Sequence, residues 1–297
     1  MEKRTLPGLR RRAPVVNGIF YPDSREALTA QIASYGLKKG VTGNCYTSQP
    51  APGGGRSFGI QAILAPHGAW DLTGNIAGTA FAALQAREEK SSVSRILLFS
   101  THHNSGDEGV FLSESAFFDT PLGELPVDQE MNQQLASCSP HIKLYDIPHL
   151  SEHALEVLLP LVKYCFPAAK IVPVLMGGAD PVMISGLAKA LKIVLGNCME
   201  ESLLVISSNI SRNSDPETAF SSAKEFSRLI AEMDTPAFIT GLAGGAISAC
   251  GGAIMGALLE SKLLHGKHFS SLCPMVQATG ENGETVYYGA FVCAPRE

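Results

Sequence analysis

Residues 60–68 have the sequence IQAILAPHG, in which a short apolar run ends at a proline and a histidine. Residues 95–104, RILLFSTHHN, repeat this arrangement with His102 and His103. Short runs of this kind, each ended by a polar or Gly/Pro break, are typical of buried parallel strands. Because ligands of open α/β sheets bind beyond the carboxyl ends of the strands, we expect His67 and His102 at one edge. Neutral imidazole is the commonest protein metal ligand, so the pair predicts a shared metal.

Further strand-like runs alternate with helical patterns along the chain. The runs cover residues 171–176, 203–207 and 286–293, and the helical patterns cover residues 24–35, 72–86, 128–136, 153–164, 181–195, 216–233 and 251–264. This alternation predicts an α/β fold with a mostly parallel, mixed central sheet flanked by helices. The Pro/Gly-rich segment 47–56 lies too near the N-terminus to separate two domains, so we expect a single domain over residues 1–297.

The composition argues against several classes of protein. A length of 297 residues with 45% hydrophobic and 17% charged residues is ordinary for a globular protein. The net charge of −5 argues against a nucleic-acid-binding surface. Seven scattered cysteines without a CxxC pair favour a reducing, cytoplasmic setting. Residues 235–259 carry no charge, but their six glycines and the lack of an aromatic belt favour a buried loop leading into a helix over a membrane span.

A cysteine and further polar residues extend the candidate site. Ser207, Ser208 and Asn209 follow the run 203–207, so a third strand end presents polar groups. Cys250 precedes a predicted helix, whose N-terminus would favour a thiolate able to bind metal or act as a nucleophile. The competing interpretation is a small buried apolar residue, and the residues by themselves favour it. The role of His103, as ligand or as packing residue, stays open.

Two glutamates flank a histidine in the next candidate segment. Glu152 and Glu156 have a spacing that puts both carboxylates on one face of a helix, with His153 adjacent. Carboxylates on such a face could hydrogen-bond to the metal ligands and orient them, or they could equally belong to a solvated first turn. The other histidines, namely His141, His149, His265 and His268, are expected to be surface or core residues.

Taken together, the motifs resemble the MEMO family, the B component of the AmmeMemoRadiSam group. The matching landmarks are Ala13-Pro14, Gly18-Ile19-Phe20-Tyr21-Pro22, Leu64-Ala65-Pro66-His67, Thr101-His102-His103, Thr120-Pro121-Leu122-Gly123-Glu124-Leu125, Glu152-His153, Pro173-Val174-Leu175, Ser207-Ser208 and Cys250-Gly251. The family's fold is similar to that of class III extradiol dioxygenases. The resemblance implies a metal site on His67, His102 and Cys250, and it makes Cys250 a favoured ligand.

The chain departs from the family pattern at three places. His67-Gly68-Ala69-Trp70 stands where the family usually has His-Ala-Gly-Tyr. Asn209 and Arg212 stand where an acidic residue and a histidine are usual, and Leu158 replaces another histidine. In the related dioxygenases a histidine acts as acid/base, and a carboxylate completes a two-histidine iron site. In this chain the thiolate of Cys250 would be the third metal ligand, and Arg212 would stand at the position of the acid/base histidine.

These observations lead to three hypotheses. The first is an oxidoreductase with one iron, or alternatively copper, in which Glu152, His153 and Asn209 serve the reaction and Arg212 grips an anionic substrate. The second is an adaptor that keeps the fold without the chemistry and binds a small molecule or a peptide. The third, implied only by the group's name, is a functional partner of a radical-SAM protein. This chain has no CxxxCxxC iron–sulfur motif, so any radical chemistry would lie in the other protein.

Overall fold

The computed structural model describes residues 10–37, 59–85, 93–103, 106–280 and 282–295. Within them the strands are β1 (Arg11–Arg12), β2 (Ala62–Ala65), β3 (Arg95–Thr101), β4 (Gly109–Leu112), β5 (Phe117–Phe118), β6 (Leu125–Pro126), β7 (Ile142–Leu144), β8 (Lys170–Gly177), β9 (Ser202–Ser207), β10 (Ser211–Asn213), β11 (Lys267–Ser271), β12 (Val276–Thr279), β13 (Thr285–Tyr288) and β14 (Phe291–Pro295). The helices are α1 (Arg25–Ser34), α2 (Trp70–Gln85), α3 (Gln129–Ser137), α4 (Ile147–Ser151), α5 (His153–Glu156), α6 (Leu159–Cys165), α7 (Pro181–Leu195), α8 (Pro216–Glu232), α9 (Thr235–Ala243) and α10 (Gly252–Ser261), with a 3-10 turn at Met199–Glu201. The segment predicted as a loop at 47–56 lies outside the described residues.

An eight-stranded mixed sheet forms the centre of the molecule, in the order β11-β14-β2-β9-β3-β8-β4-β7. Its central strands β2, β9, β3 and β8 are parallel, whereas β14 and β4 run antiparallel to β2 and β8. The predicted α/β class with a mostly parallel, mixed sheet is therefore confirmed. The extradiol dioxygenase-like form of that fold stays a prediction.

Strand β3 shows why its sequence is apolar throughout. Leu97 and Phe99 pack into the core on one face of the sheet, and Ile96 and Leu98 pack into the core on the other. All four side chains are fully buried. A strand covered by helices on both faces has no solvent-facing side, so its apolar residues run together instead of alternating with polar ones.

Two predicted elements are each divided in the structure. The helix expected at 153–164 is wrong in extent: α5 ends at Glu156, and α6 begins at Leu159 with Pro160 in its first turn. Proline has no N–H to donate to the carbonyl four residues earlier, so a continuous helix is interrupted there. The strand expected at 286–293 is also wrong in extent, because the chain leaves β13 in a small sheet and joins the central sheet as β14.

The glycine-rich segment 235–259 forms helix α9, a loop and most of helix α10. A Cβ on Gly252 would lie 2.8 Å from Leu242, and a Cβ on Gly256 would lie 2.9 Å from Ile239. The glycines therefore let the two helices approach closely. Among the described residues, no helix combines the length and the apolar character that a bilayer span requires. The expected loop leading into a helix is present. The first nine residues of the segment form helix α9, which was not expected.

Candidate metal centre

The carboxyl ends of three parallel strands meet at one edge of the central sheet. His67 follows β2, His102 and His103 follow β3, and Ser207 is the last residue of β9. Ser207 pairs with Ala65 on one side and with Ser100 on the other. The register therefore brings the histidines and Ser207 to the same edge, as the sequence predicted.

The backbone N–H and the backbone carbonyl of Cys250 both make hydrogen bonds that hold it against this edge. Its N–H donates to Asn209 Oδ1 at 2.8 Å, and the Thr101 hydroxyl donates to its carbonyl. The backbone N–H of Asn209 donates to Cys250 Sγ at 3.3 Å. A Cβ on Gly251 would lie 2.7 Å from Ser208 Cβ and Oγ, so only glycine permits this close approach. The sulfur is therefore fixed in position by the loop that precedes α10.

Cys250, His67 and His103 form a compact group of potential metal ligands. His67 Nε2 lies 3.4 Å from Cys250 Sγ, and the centroids of the His67 and His103 rings are 5.0 Å apart. One donor atom from each of the three residues lies within 4.8 Å of the other two. The geometry thus brings together two of the three residues predicted as ligands and adds the histidine whose role was open.

His102 lies outside this group. Its ring packs edge-on against Phe111, with centroids 6.0 Å apart, and its Nδ1 is 3.7 Å from Glu152 Oε2. That nitrogen has no hydrogen-bond partner among the described residues. His102 belongs to neither of the groups of three donors found in the described part of the chain. Its assignment as a ligand stays a prediction.

Glu152 orients the neighbouring histidine. Its carboxylate accepts the backbone N–H of His103 at 2.7 Å and lies 3.0 Å from His103 Nδ1. A carboxylate can only accept, so Nδ1 carries a proton, and a metal would bind at Nε2 in place of any proton on that nitrogen. Glu152 also caps α5 by accepting the N–H of Ala154. At 3% exposure Glu152 is buried, which excludes the solvated first turn that the sequence left open.

Mutual interactions hold these groups in their charged forms. Burial would raise the pKa of Glu152, but the hydrogen bonds and charge of His103 lower it to about 2. Burial would lower the pKa of His103, but Cys250 and Glu152 raise it to about 10. Burial would likewise raise the pKa of Cys250, whereas His67 and His103 lower it well below its usual value. These interactions favour the thiolate of Cys250, the form that binds metals.

The donor set fits a transition metal. Nitrogen and sulfur ligands at about 2.05 and 2.3 Å from a tetrahedral ion are about 3.6 Å apart, close to the 3.4 Å between His67 Nε2 and Cys250 Sγ. Each imidazole also has a hydrogen-bond partner on its other nitrogen, as metal-binding histidines almost always do. Thiolate and imidazole together suit iron, copper or zinc better than magnesium or calcium.

The remaining predicted residues take different positions. The His153 ring stacks on His103 with centroids 5.4 Å apart, and its Nδ1 is 3.4 Å from Glu152 Oε1. Its side chain is about one-third exposed, so it connects the group to solvent. Arg212 lies on β10, where its half-exposed guanidinium is 3.8 Å from Glu284. Asn209 contacts Cys250 directly, as described above.

A buried ion pair behind the site was not anticipated from the sequence. The Arg12 guanidinium bonds the Glu156 carboxylate and donates to the carbonyls of His149 and Glu152, each at 2.9 Å. Glu156 is therefore paired with Arg12 and not with a histidine of the site, and Glu152 is the N-cap of α5. The sequence offers no signal for this, because Arg11 and Arg12 are identical neighbours and only the structure shows Arg11 exposed and Arg12 buried.

Comparison with known proteins gives consistent results. The family model described as Memo-like protein matches residues 12–291. MEMO1 family proteins from Desulfurococcus amylolyticus and Nitrosopumilus maritimus are 26% and 25% identical, over 87% and 94% of this chain and 90% and 98% of their own lengths. One from Saccharolobus solfataricus is 28% identical over 87% of this chain and 90% of its own length. The crystal structure of an uncharacterized protein from Escherichia coli K12 matches with a TM-score of 0.50 and 12% identity, covering 78% of this chain and 99% of that protein, which is a likeness of fold only.

Proposed function

Since this chain belongs to the Memo-like protein family, we propose that it is a metal-dependent oxidoreductase with one iron ion, or alternatively copper. The ligands proposed are His67, Cys250 and His103, with His102 as the alternative third ligand that the family resemblance implies. The observation that carries this proposal is the approach of His67 Nε2 to within 3.4 Å of the Cys250 sulfur, with His103 completing the group.

The thiolate favours a redox-active metal. A soft sulfur ligand suits copper(I) and also iron, and it neutralises one unit of the ion's positive charge in a partly buried position. Iron or copper held by Cys250 and two imidazoles would supply one-electron redox chemistry to a bound substrate. Asn209 keeps the sulfur in place through both of its hydrogen bonds to Cys250.

Proton transfer is proposed for His153. It is the partly exposed imidazole next to the group, and its Nδ1 lies 3.4 Å from the Glu152 carboxylate. A histidine in such a position can exchange protons with solvent and with a ligand beside the metal. Arg212 is proposed to bind an anionic part of the substrate, which requires its guanidinium to leave Glu284.

The metal site is tested by metal analysis of anaerobically purified protein loaded with Fe²⁺ or Cu⁺. The wild type and the exposed-surface control His141→Gln are expected to hold one ion per chain, and Cys250→Ser and His67→Gln to lose it. Parallel His102→Gln and His103→Gln variants identify the third ligand, and the geometry predicts that His103→Gln loses the ion. A wild type that stays metal-free with both ions would refute the proposal.

Turnover is tested separately on the loaded protein. Catechols and other oxidisable aromatic compounds are screened for metal-dependent oxygen uptake, with the Cys250→Ser variant as the blank. A His153→Gln variant is expected to keep the metal and to slow turnover, since it removes only the proposed proton-transfer group. Retained full turnover in His153→Gln would assign proton transfer to another group.

A second candidate function is a non-catalytic adaptor. Leu158 is fully buried, the Asn209 side chain is tied to Cys250, and Arg212 faces Glu284, so these three positions supply no acid/base group. In this case a small-molecule or peptide ligand would bind without turnover, and a functional link to a radical-SAM protein would be one context for it. A His67→Ala variant should then retain ligand binding, and loss of binding in that variant would argue against the adaptor.

A further inference from the structure

We propose that Ser207 is a positioning residue that holds His67 with its Nε2 toward Cys250. The inference rests on the proposed metal site, which it deepens by assigning the group that orients one ligand. Ser207 Oγ lies 3.1 Å from His67 Nδ1 and donates to the carbonyl of Ala154 at 2.5 Å. Ser207 is fully buried, so no water competes with these bonds.

The direction of the hydrogen bonds assigns the proton on the imidazole. A serine hydroxyl has one proton to donate and lone pairs to accept with. Because Ser207 gives its proton to Ala154, its oxygen can only accept from His67. Nδ1 of His67 therefore carries a hydrogen, and Nε2 is the nitrogen available to a metal. That nitrogen is the one 3.4 Å from Cys250 Sγ.

One short segment stands behind both histidines. Ala154 accepts from Ser207, which holds His67, and the N–H of Ala154 donates to Glu152, which holds His103. The first turn of α5 thus orients two imidazoles at once, one through a neutral hydroxyl and the other through a carboxylate.

The test compares two buried serines on neighbouring strands. Ser207→Ala removes the proposed orienting group, whereas Ser100→Ala is the matched control, because Ser100 Oγ donates only to the backbone carbonyl of Ser207, at 3.3 Å. The affinity for Co²⁺ is measured by titration under anaerobic conditions. Loss of such an orienting partner typically weakens metal binding by about 10–100-fold, and we expect this range for Ser207→Ala, little change for Ser100→Ala and recovery in Ser207→Thr.

A second readout separates this inference from the proposed function. Long-range ¹H–¹⁵N NMR of the metal-free wild type reports which nitrogen of His67 is protonated, and we expect a proton on Nδ1. In Ser207→Ala a mixture with the other neutral tautomer is expected. Absence of a proton on Nδ1 in the wild type would overturn the inference, as would unchanged Co²⁺ affinity in Ser207→Ala. If the wild type binds no metal, the proposed function fails while the NMR result still decides the role of Ser207.

Discussion

Replacing Glu152 by glutamine removes a charge that the fold holds in place. The pKa of this carboxyl is lowered from its usual 4.5 to about 2 by His103, despite a burial that opposes ionisation. A tenfold change in an acid constant corresponds to about 1.4 kcal/mol, so the folded state gains about 3 kcal/mol from the ionised form. The side chain is 1% exposed, and solvent screening does not reduce this value.

The sign of the effect fixes its pH dependence. A lowered pKa gives stability that is present above pH 4.5 and is lost as the pH falls from 4.5 toward 2. Urea unfolding of the metal-free protein should therefore show Glu152→Gln less stable than the wild type by about 3 kcal/mol at neutral pH. The gap should narrow steadily below pH 4.5. A gap that is absent at neutral pH, or that persists unchanged in acid, would refute this reasoning.

Glu156→Gln provides the contrast for metal binding. Glu156 is as buried as Glu152 and lies four residues further on, but it bonds Arg12 instead of a histidine. Removing one partner of a buried ion pair typically costs about 3–5 kcal/mol, so Glu156→Gln should also destabilise the fold. Only Glu152→Gln should weaken metal binding, by about 10–100-fold, because only Glu152 orients His103. Equal losses of affinity in both variants would mean that the effect is general destabilisation.

Three further perturbations follow from the structure. Gly251→Ala places a Cβ 2.7 Å from Ser208; we expect a loss of about 1–3 kcal/mol in urea unfolding together with weaker metal binding, and wild-type values for both would contradict the close approach. Burial lowers the pKa of His149 to about 4, so wild-type stability should fall as the pH drops from 6.5 to about 4, and His149→Gln, which keeps a donor for the Phe111 carbonyl, should lack this dependence. Phe99→Ala empties a fully buried position at the centre of the sheet and should cost about 3–5 kcal/mol, whereas a cost below about 1 kcal/mol would indicate a loosely packed core.

The central strands and the edge that carries the site could be predicted because both follow from local patterns. Apolar runs that end in a polar or Gly/Pro break locate β2 and β3 to within two residues. The rule for the carboxyl ends of parallel strands then places His67 and the adjacent histidines together. Ser24 and Asp180 are residue types that favour helix N-caps, and both accept backbone N–H groups in the structure. Each of these features depends on residues a few positions apart.

The features that escaped prediction depend on contacts between distant segments. That His103 and not His102 groups with His67 and Cys250 depends on contacts such as that of His103 with Glu152, 49 residues away. The burial of Arg12 depends on partners 137 to 144 residues away. Periodicity carries no information about such contacts, because it reports only which face of an element is apolar. The sequence did offer Ser207 as a polar group at a strand end, but its role required the position of the Ala154 carbonyl.

The burial of Arg12 has a consequence for how the protein is made. During synthesis the arginine leaves the ribosome long before Glu156, its ionic partner, and the Cys250 loop emerges 183 residues after His67. Such distant contacts slow folding, because the chain must close large loops before the contacts form. The ion pair can therefore form only after Glu156 has been made, and the candidate metal site only after Cys250. Until those points Arg12 lacks its ionic partner, and the imidazoles of His67 and His103 lack the Cys250 sulfur.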